Sequence, residues 1–233
     1  MSRSNPVAYW SPEIQDRSNN PFALEGFLIF CILAAARESG RASNTGAMLL
    51  HDRPAGVSPL THIHNLGHKE VENRILKSGL GYQGQKTSFL MSAAEAVVVN
   101  GLDLRTASID DLESIKGVAE KTSRFFRLFS FPKKRLRHAI LDVHVMRFIA
   151  DYDRIVLGKP ATDVPEITPT GAAYRRYEKQ FLEICDFHRR PNPKFDFKVW
   201  SDFKAHSQGK PEPRRKLLNT LARERGRSIT WKL

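Results

Sequence analysis

The sequence predicts an all-α protein, on three observations. Apolar residues recur at spacings of three and four along most of the 233-residue chain, the period of a helix with one buried face. The alternating runs that mark strands are scarce. Several apolar stretches are preceded by Pro, Ser or Asp and one is closed by Gly, which is helix punctuation. With 41% hydrophobic and 27% charged residues the chain can bury a core, so global disorder is excluded, and its length suits one large domain or two small ones.

Residues 21–37 begin with Pro21 and carry little charge around FLIFCILAAA, so they predict a helix enclosed on several sides. That run is about half of the roughly 20 apolar residues a bilayer span needs, and no membrane protein is expected. Residues 39–60 are a Gly-, Ser- and Pro-containing stretch around a short apolar patch at 48–50, with no helix assigned. Residues 69–80 resume helical spacing, with Val71, Ile75 and Leu76 on one face and Gly79 as the stop. A turn at 79–82 leads to a further helical segment over 85–99. Ser108 with the acidic pair that follows gives a capping-box-like start to a short helix through Ser114. IKGVA at 115–119 then separates two amphipathic helices, the second starting near Glu120 and including Phe125, Phe126 and Phe129. This is a helix–hairpin–helix pattern.

A basic connector at 132–138 leads to AILDVHVMRFIADY, an apolar helix that Asp142 can cap. Residues 158–170, with Pro160, Pro165 and Pro169, read as a loop. A helix over 172–188 follows, with Tyr177, Phe181, Ile184 and His188 on one face, then a proline-broken turn at 191–193 and a helix across 195–203. From Lys210 onward the chain reads as a basic tail with helical character. Cys31 and Cys185 are too few for a disulfide framework or an iron–sulfur cluster and read as buried apolar residues. The opening MSRSNPVAYWSPE lacks the apolar stretch of a secretory signal, so a cytoplasmic or otherwise intracellular protein is expected.

The 37 Lys and Arg against 25 Asp and Glu give a net charge of +12, and the charge is focused. Residues 121–147 hold eight cations and one anion, Asp142; residues 210–232 hold eight cations against Glu212 and Glu224. Such patches are the footprint of nucleic-acid binding, although a solvated basic face has the same composition. The hairpin adds geometry. A Gly-containing turn that opens a helix presents backbone N–H groups at the positive end of the helix dipole, where a phosphate fits, and Gly117 permits close approach. An ordinary packing corner would read the same way. Lys121 follows in the first helical turn, and Asp142 starts another helix 21 residues later. A helix N-terminus among cations favours a free amine, the form that attacks carbon, and a carboxylate can counter developing positive charge.

These residues carry a resemblance. KGVAEK followed by AILDVH, within 115–146, resembles the signature of the helix–hairpin–helix DNA glycosylase superfamily, which ends in a catalytic Asp and in its bifunctional branch contains a nucleophilic Lys. GFLIFCILAAA at 26–36 resembles the central barrel helix of those enzymes, and GLGYQGQK at 79–86 a turn and helix of the same barrel. The likeness spans roughly residues 20–150. FCIL at 30–33, AILD at 139–142 and Asp196-x-x-x-Trp200 are similar to archaeal-type 8-oxoguanine DNA glycosylase/AP lyases.

The resemblance implies two helical domains meeting at a DNA-binding cleft. One is a six-helix barrel over 25–140 with the hairpin at about 108–130; the other combines 1–24 with 141–233. It further implies a monomer that removes 8-oxoguanine from double-stranded DNA. Lys121 would be the nucleophile and Asp142 the carboxylate that stabilises the sugar cation, with Asp196, Trp200 and Phe125 binding the base. Gly117, Val118, Ala119 and Thr122 would hold a phosphate, and Arg37 would fill the gap left by the flipped base. No cofactor is required, with a monovalent cation on the hairpin carbonyls as an option.

The chain departs from the pattern in places. Ala119 replaces the second hairpin Gly, the connector before Asp142 is long, and Ala36 and Arg37 stand where relatives often carry Asn. The segment beyond 208 exceeds the usual last helix, with Trp231 a candidate to reach the pocket. Two other readings stay open: the same scaffold acting on another damaged or hypermodified base, and a non-catalytic hairpin DNA-binding protein. No metal is expected: His62, His64 and His68 have poor ligand spacing and read as surface residues in a loop.

Overall fold

A computed structural model of the chain describes residues 14–35, 39–134, 136–160 and 162–231. Among the described residues there are ten α-helices, two of them prolonged by a π-helical turn, and no strand, so the fold is all-α. The chain divides into two compact units, Met1–Lys134 and Arg135–Leu233. No helix is long and apolar enough to cross a membrane among the described residues.

The first unit is organised on α1 (Pro21–Ala34), whose residues 24–33 are all buried. Asn20 caps it by accepting the Ala23 N–H, and Pro21 stands in its first turn. Around it pack α2 (Ser39–Leu50), α3 (Pro59–Ser78), α4 (Gln83–Ala94) with the π-helical turn Glu95–Val99, and α6 (Glu120–Ser130), which follows the short α5 (Ile109–Glu113). Two buried charges fasten the frame. Glu25 Oε2 accepts the Leu60 N–H at 2.8 Å, tying α1 to the start of α3. Lys86 Nζ donates to the Ile32 and Ala35 carbonyls at 2.6 and 2.8 Å and so closes the C-terminal end of α1, where carbonyls lack intrahelical partners.

Three expectations for this unit need correction. Residues 39–50 are helical: Ala42, Thr45, Gly46 and Leu49 form a buried face of mostly small residues, and packing overrides weak propensity. The histidines at 62, 64 and 68 lie on α3, which Ser58 caps and Gly67 kinks at φ +71°. His62 is buried, with Nε2 3.2 Å from Asp52 Oδ1, and burial holds its imidazole below the ordinary value. The described part of the N-terminal segment belongs to the first unit, not the second: Gln15 and Arg17 donate backbone N–H groups to Phe129 and Ser130, and the Arg17 guanidinium lies 4.0 Å from the Phe27 ring centre. Residues 1–13 lie outside the described residues.

The second unit comprises α7 (Val143–Asp151) with the π-helical turn Tyr152–Leu157, α8 (Gly171–Phe187), α9 (Lys194–Ser207) and α10 (Glu212–Glu224). Its centre is Phe148, which meets Phe181, Phe195 and Phe203 edge to face. The basic tail is in fact structural: Leu217, Leu218, Leu221 and Ala222 of α10 are buried in this core. Buried His188 fixes the end of α10, with Nε2 2.7 Å from the Tyr152 hydroxyl and Nδ1 2.6 Å from Glu224 Oε2. Cys31 and Cys185 are both buried, which pushes their thiols up and leaves them as apolar filler.

Candidate active site and nucleic-acid interface

In the first unit the hairpin is built from α5, its turn and α6. A reciprocal cap starts α5: Ser108 Oγ accepts the Asp111 N–H at 3.0 Å, and Asp111 Oδ2 accepts the Ser108 N–H at 2.8 Å. Ile115 and Val118 are buried and anchor the turn. Between them Gly117 takes φ +85°, and a Cβ there would stand 2.1 Å from Cγ of Phe89, so both conformation and space require glycine. The two helices are locked by Glu113, whose Oε1 accepts from Ser123 Oγ at 2.8 Å and from Arg124 Nη1 at 2.5 Å.

The first turn of α6 is open. Ala119 precedes it in an extended conformation and has no side-chain oxygen to cap it, while its carbonyl accepts the Thr122 and Ser123 N–H groups. The amides ahead of Thr122 lie at the positive end of the helix dipole, where an anion is favoured. Val118 and Thr122 bury their side chains and give their N–H groups to the Ile115 and Ala119 carbonyls, so the structure leaves neither amide for a phosphate. Lys121 projects from this turn, exposed and with no ion pair among the described residues. Phe125, one turn further, is half-buried and edges onto Phe27, Phe30 and Phe129 at 5.5, 6.3 and 4.7 Å.

Much of the basic run is neutralised internally. Arg124 is paired with Glu113, Lys133 with Asp16 and Arg137 with Asp186. Lys121, Lys134 and Arg147 keep exposed charge with no ion pair among the described residues. Arg37 lies outside the described residues.

In the second unit a short extended segment presents Asp142. Three successive backbone N–H groups are taken by three side chains: Ala139 by Glu178 at 2.9 Å, Ile140 by Asp196 Oδ2 at 2.8 Å and Leu141 by the Tyr174 hydroxyl at 3.1 Å. The same hydroxyl donates to the Ala139 carbonyl at 2.7 Å. Asp142 then caps α7, its Oδ1 accepting from the His144 and Val145 N–H groups at 2.8 and 3.0 Å. One oxygen does structural work and Oδ2 has no hydrogen-bond partner among the described residues.

Next to this cap lies an aromatic pair. Trp200 is part-exposed, meets the His144 ring edge-on at 6.5 Å and stacks on exposed Phe197 at 5.8 Å. Lys204 Nζ stands 4.5 Å from its ring centre. Asp142, Asp196 and Trp200 thus gather on one segment, 139–144. Asp196 is only 2% exposed and is engaged by the Ile140 amide, so its evident task is to hold that segment. Sequence reasoning missed Tyr174, Glu178 and His144. The i, i+4 pair Tyr174 and Glu178 on α8 was the available signal, since it sets two polar groups on one face of an otherwise apolar contact.

Lys121 and Phe125 belong to the first unit; Asp142, Asp196 and Trp200 belong to the second. Among the described residues no group of His, Cys, Asp or Glu is placed to hold a metal ion. No protein-family model and no curated protein matches the chain.

Proposed function

We propose that the protein is a DNA glycosylase with AP lyase activity, acting as a monomer on double-stranded DNA that carries a damaged base, 8-oxoguanine first among them. The observation that carries this reading is Lys121, an exposed amine one residue inside the open N-terminus of a hairpin helix whose glycine turn is sterically enforced. That placement suits a nucleophile working beside a bound phosphate.

The chemistry needs the nucleotide out of the stack, because C1′ of a paired residue is closed to an amine. The Lys121 nitrogen attacks C1′, the glycosidic bond breaks, and the base leaves with the bonding electrons and takes up a proton. The amine loses its protons as the sugar ring opens to an imine. Loss of a C2′ proton then expels the 3′ phosphate by β-elimination, and water releases Lys121. Asp142 Oδ2 counters the positive charge that builds on the sugar. Trp200 supplies a face for the base, Asp196 acts through the segment it holds, and the hairpin amides hold the phosphate. The backbone carbonyls of the hairpin are the groups that would accommodate a monovalent cation.

The test is cleavage of an end-labelled duplex carrying one 8-oxoguanine, read on a denaturing gel. The expected product is the β-elimination fragment, absent for Lys121→Ala and Asp142→Asn. Cleavage confined to an abasic-site duplex would move the lesion assignment to another base, and no cleavage of either duplex would overturn the reading.

A further inference from the structure

The segment after residue 208 has no part in this chemistry, yet its outward face is built. On α10, Leu217, Leu218, Leu221 and Ala222 point into the core, which leaves 212, 215–216, 219–220 and 223 as one outward line at helical spacing. Along that line runs a groove of about 430 Å³ lined by Arg215, Lys216, Thr220, Arg223 and Trp231, among others. A second cavity of about 240 Å³, reaching Phe195 and Lys198, shares Lys216 and Thr220 with it.

The charges of this groove divide into two sets. Arg215 is paired with Glu212, Lys198 with Asp202 and Arg190 with Glu224. Lys216 and Arg223 are exposed and have no ion pair among the described residues. They stand seven residues apart, about 10 Å along the helix, on either side of Thr220. The Trp231 indole is held in place: Nε1 donates to Asn219 Oδ1 at 2.9 Å, and the ring lies 5.7 and 5.6 Å from the guanidinium groups of Arg214 and Arg215.

We propose that this groove binds a single nucleic-acid strand, with phosphates on Lys216 and Arg223 and a base against Trp231. Uncompensated cations beside a fixed aromatic ring are the composition of a single-strand channel; a duplex backbone would use the cations and have no need of the ring. The groove is separate from the Lys121 chemistry and stands without it.

The test uses the full chain and a fluorescein-labelled oligothymidylate of about 12 nucleotides, within the usual span of such sites. Affinity is followed by anisotropy across a salt series. Lys216→Gln with Arg223→Gln is expected to reduce the salt slope by about 1.4, the two lost phosphate contacts at roughly 0.7 each. Trp231→Ala is expected to weaken binding at least about fivefold, and Trp231→Phe to retain most of it, in keeping with one lost stacking contact. Because Lys216 and Arg223 are exposed, their variant tests the groove even if Trp231→Ala fails to fold. Native binding and slope in the Lys216/Arg223 variant, or losses confined to duplex DNA, would overturn the proposal. Native binding that depends on the groove, with no Schiff base formed at any lesion, would remove the proposed chemistry and leave the groove standing.

Discussion

In the first unit Lys121 stands exposed on the opening turn of α6 and supports nothing around it, while the demanding geometry lies four residues earlier, at Gly117. In the second unit the residues of interest are themselves structural: Asp142 caps α7 and Asp196 holds the Ile140 amide. Separating the frame from the proposed nucleophile lets Lys121 be replaced without disturbing the fold. Combining the two roles in one carboxylate means that function and stability change together unless the substitution keeps the oxygen. The contrast can be measured as stability, position by position.

Gly117→Ala carries the largest expected cost, about 2–4 kcal/mol, from a left-handed conformation at a residue with a Cβ and from displacement of the Phe89 ring. Urea unfolding measures it, and a cost under about 1 kcal/mol would mean that the turn relaxes. Asp196→Ala leaves the half-buried Ile140 N–H without its acceptor and is expected to cost about 1–3 kcal/mol. Asp142→Ala removes a helix cap, for about 0.5–2 kcal/mol, whereas Asp142→Asn keeps an equally good cap. The Asn variant should therefore unfold within about 0.5 kcal/mol of the native chain yet lack strand cleavage; retained cleavage would confine Asp142 to capping. Lys121→Ala should alter stability by no more than about 0.5 kcal/mol, the usual range for an exposed side chain without partners.

The mildest change is common to both units. Burial holds the imidazoles of His62 and His188 below the ordinary value of 6.5, so the unfolded chain takes up protons that the folded chain resists. Their contribution to stability is present above about pH 6.5 and is lost progressively as the pH falls below it. Thermal melts between about pH 7.5 and pH 5.5 should show a lower Tm at the acid end, and His188→Gln should flatten part of that slope. A Tm that rises on acidification would contradict the burial argument.

Where local chemistry decides, the sequence was readable. The start of α6 at Glu120, the Asp142 cap, the Ser108 start of α5 and the Gly79 stop of α3 all follow from residues within one turn of the feature. Where packing decides, it was not. α2 contains Gly40 and Gly46 and becomes a helix because its small residues fit against neighbours remote in sequence. The basic composition of α10 concealed four buried apolar positions, and the bond that employs Glu25 joins it to Leu60, 35 residues away. The candidate residues were legible as types and spacings. That Asp196 would be spent on a backbone amide was not, because nothing in the AILD motif reveals that its amides need side-chain acceptors.

The most direct test of the central claim is borohydride reduction of the protein incubated with duplex DNA containing one 8-oxoguanine, beside an abasic-site duplex and with Lys121→Ala as control. A covalent protein–DNA adduct is expected on the 8-oxoguanine strand with the native chain and not with the Lys121 variant. An adduct that persists in the Lys121 variant, or its absence from both duplexes with the native chain, would contradict that claim.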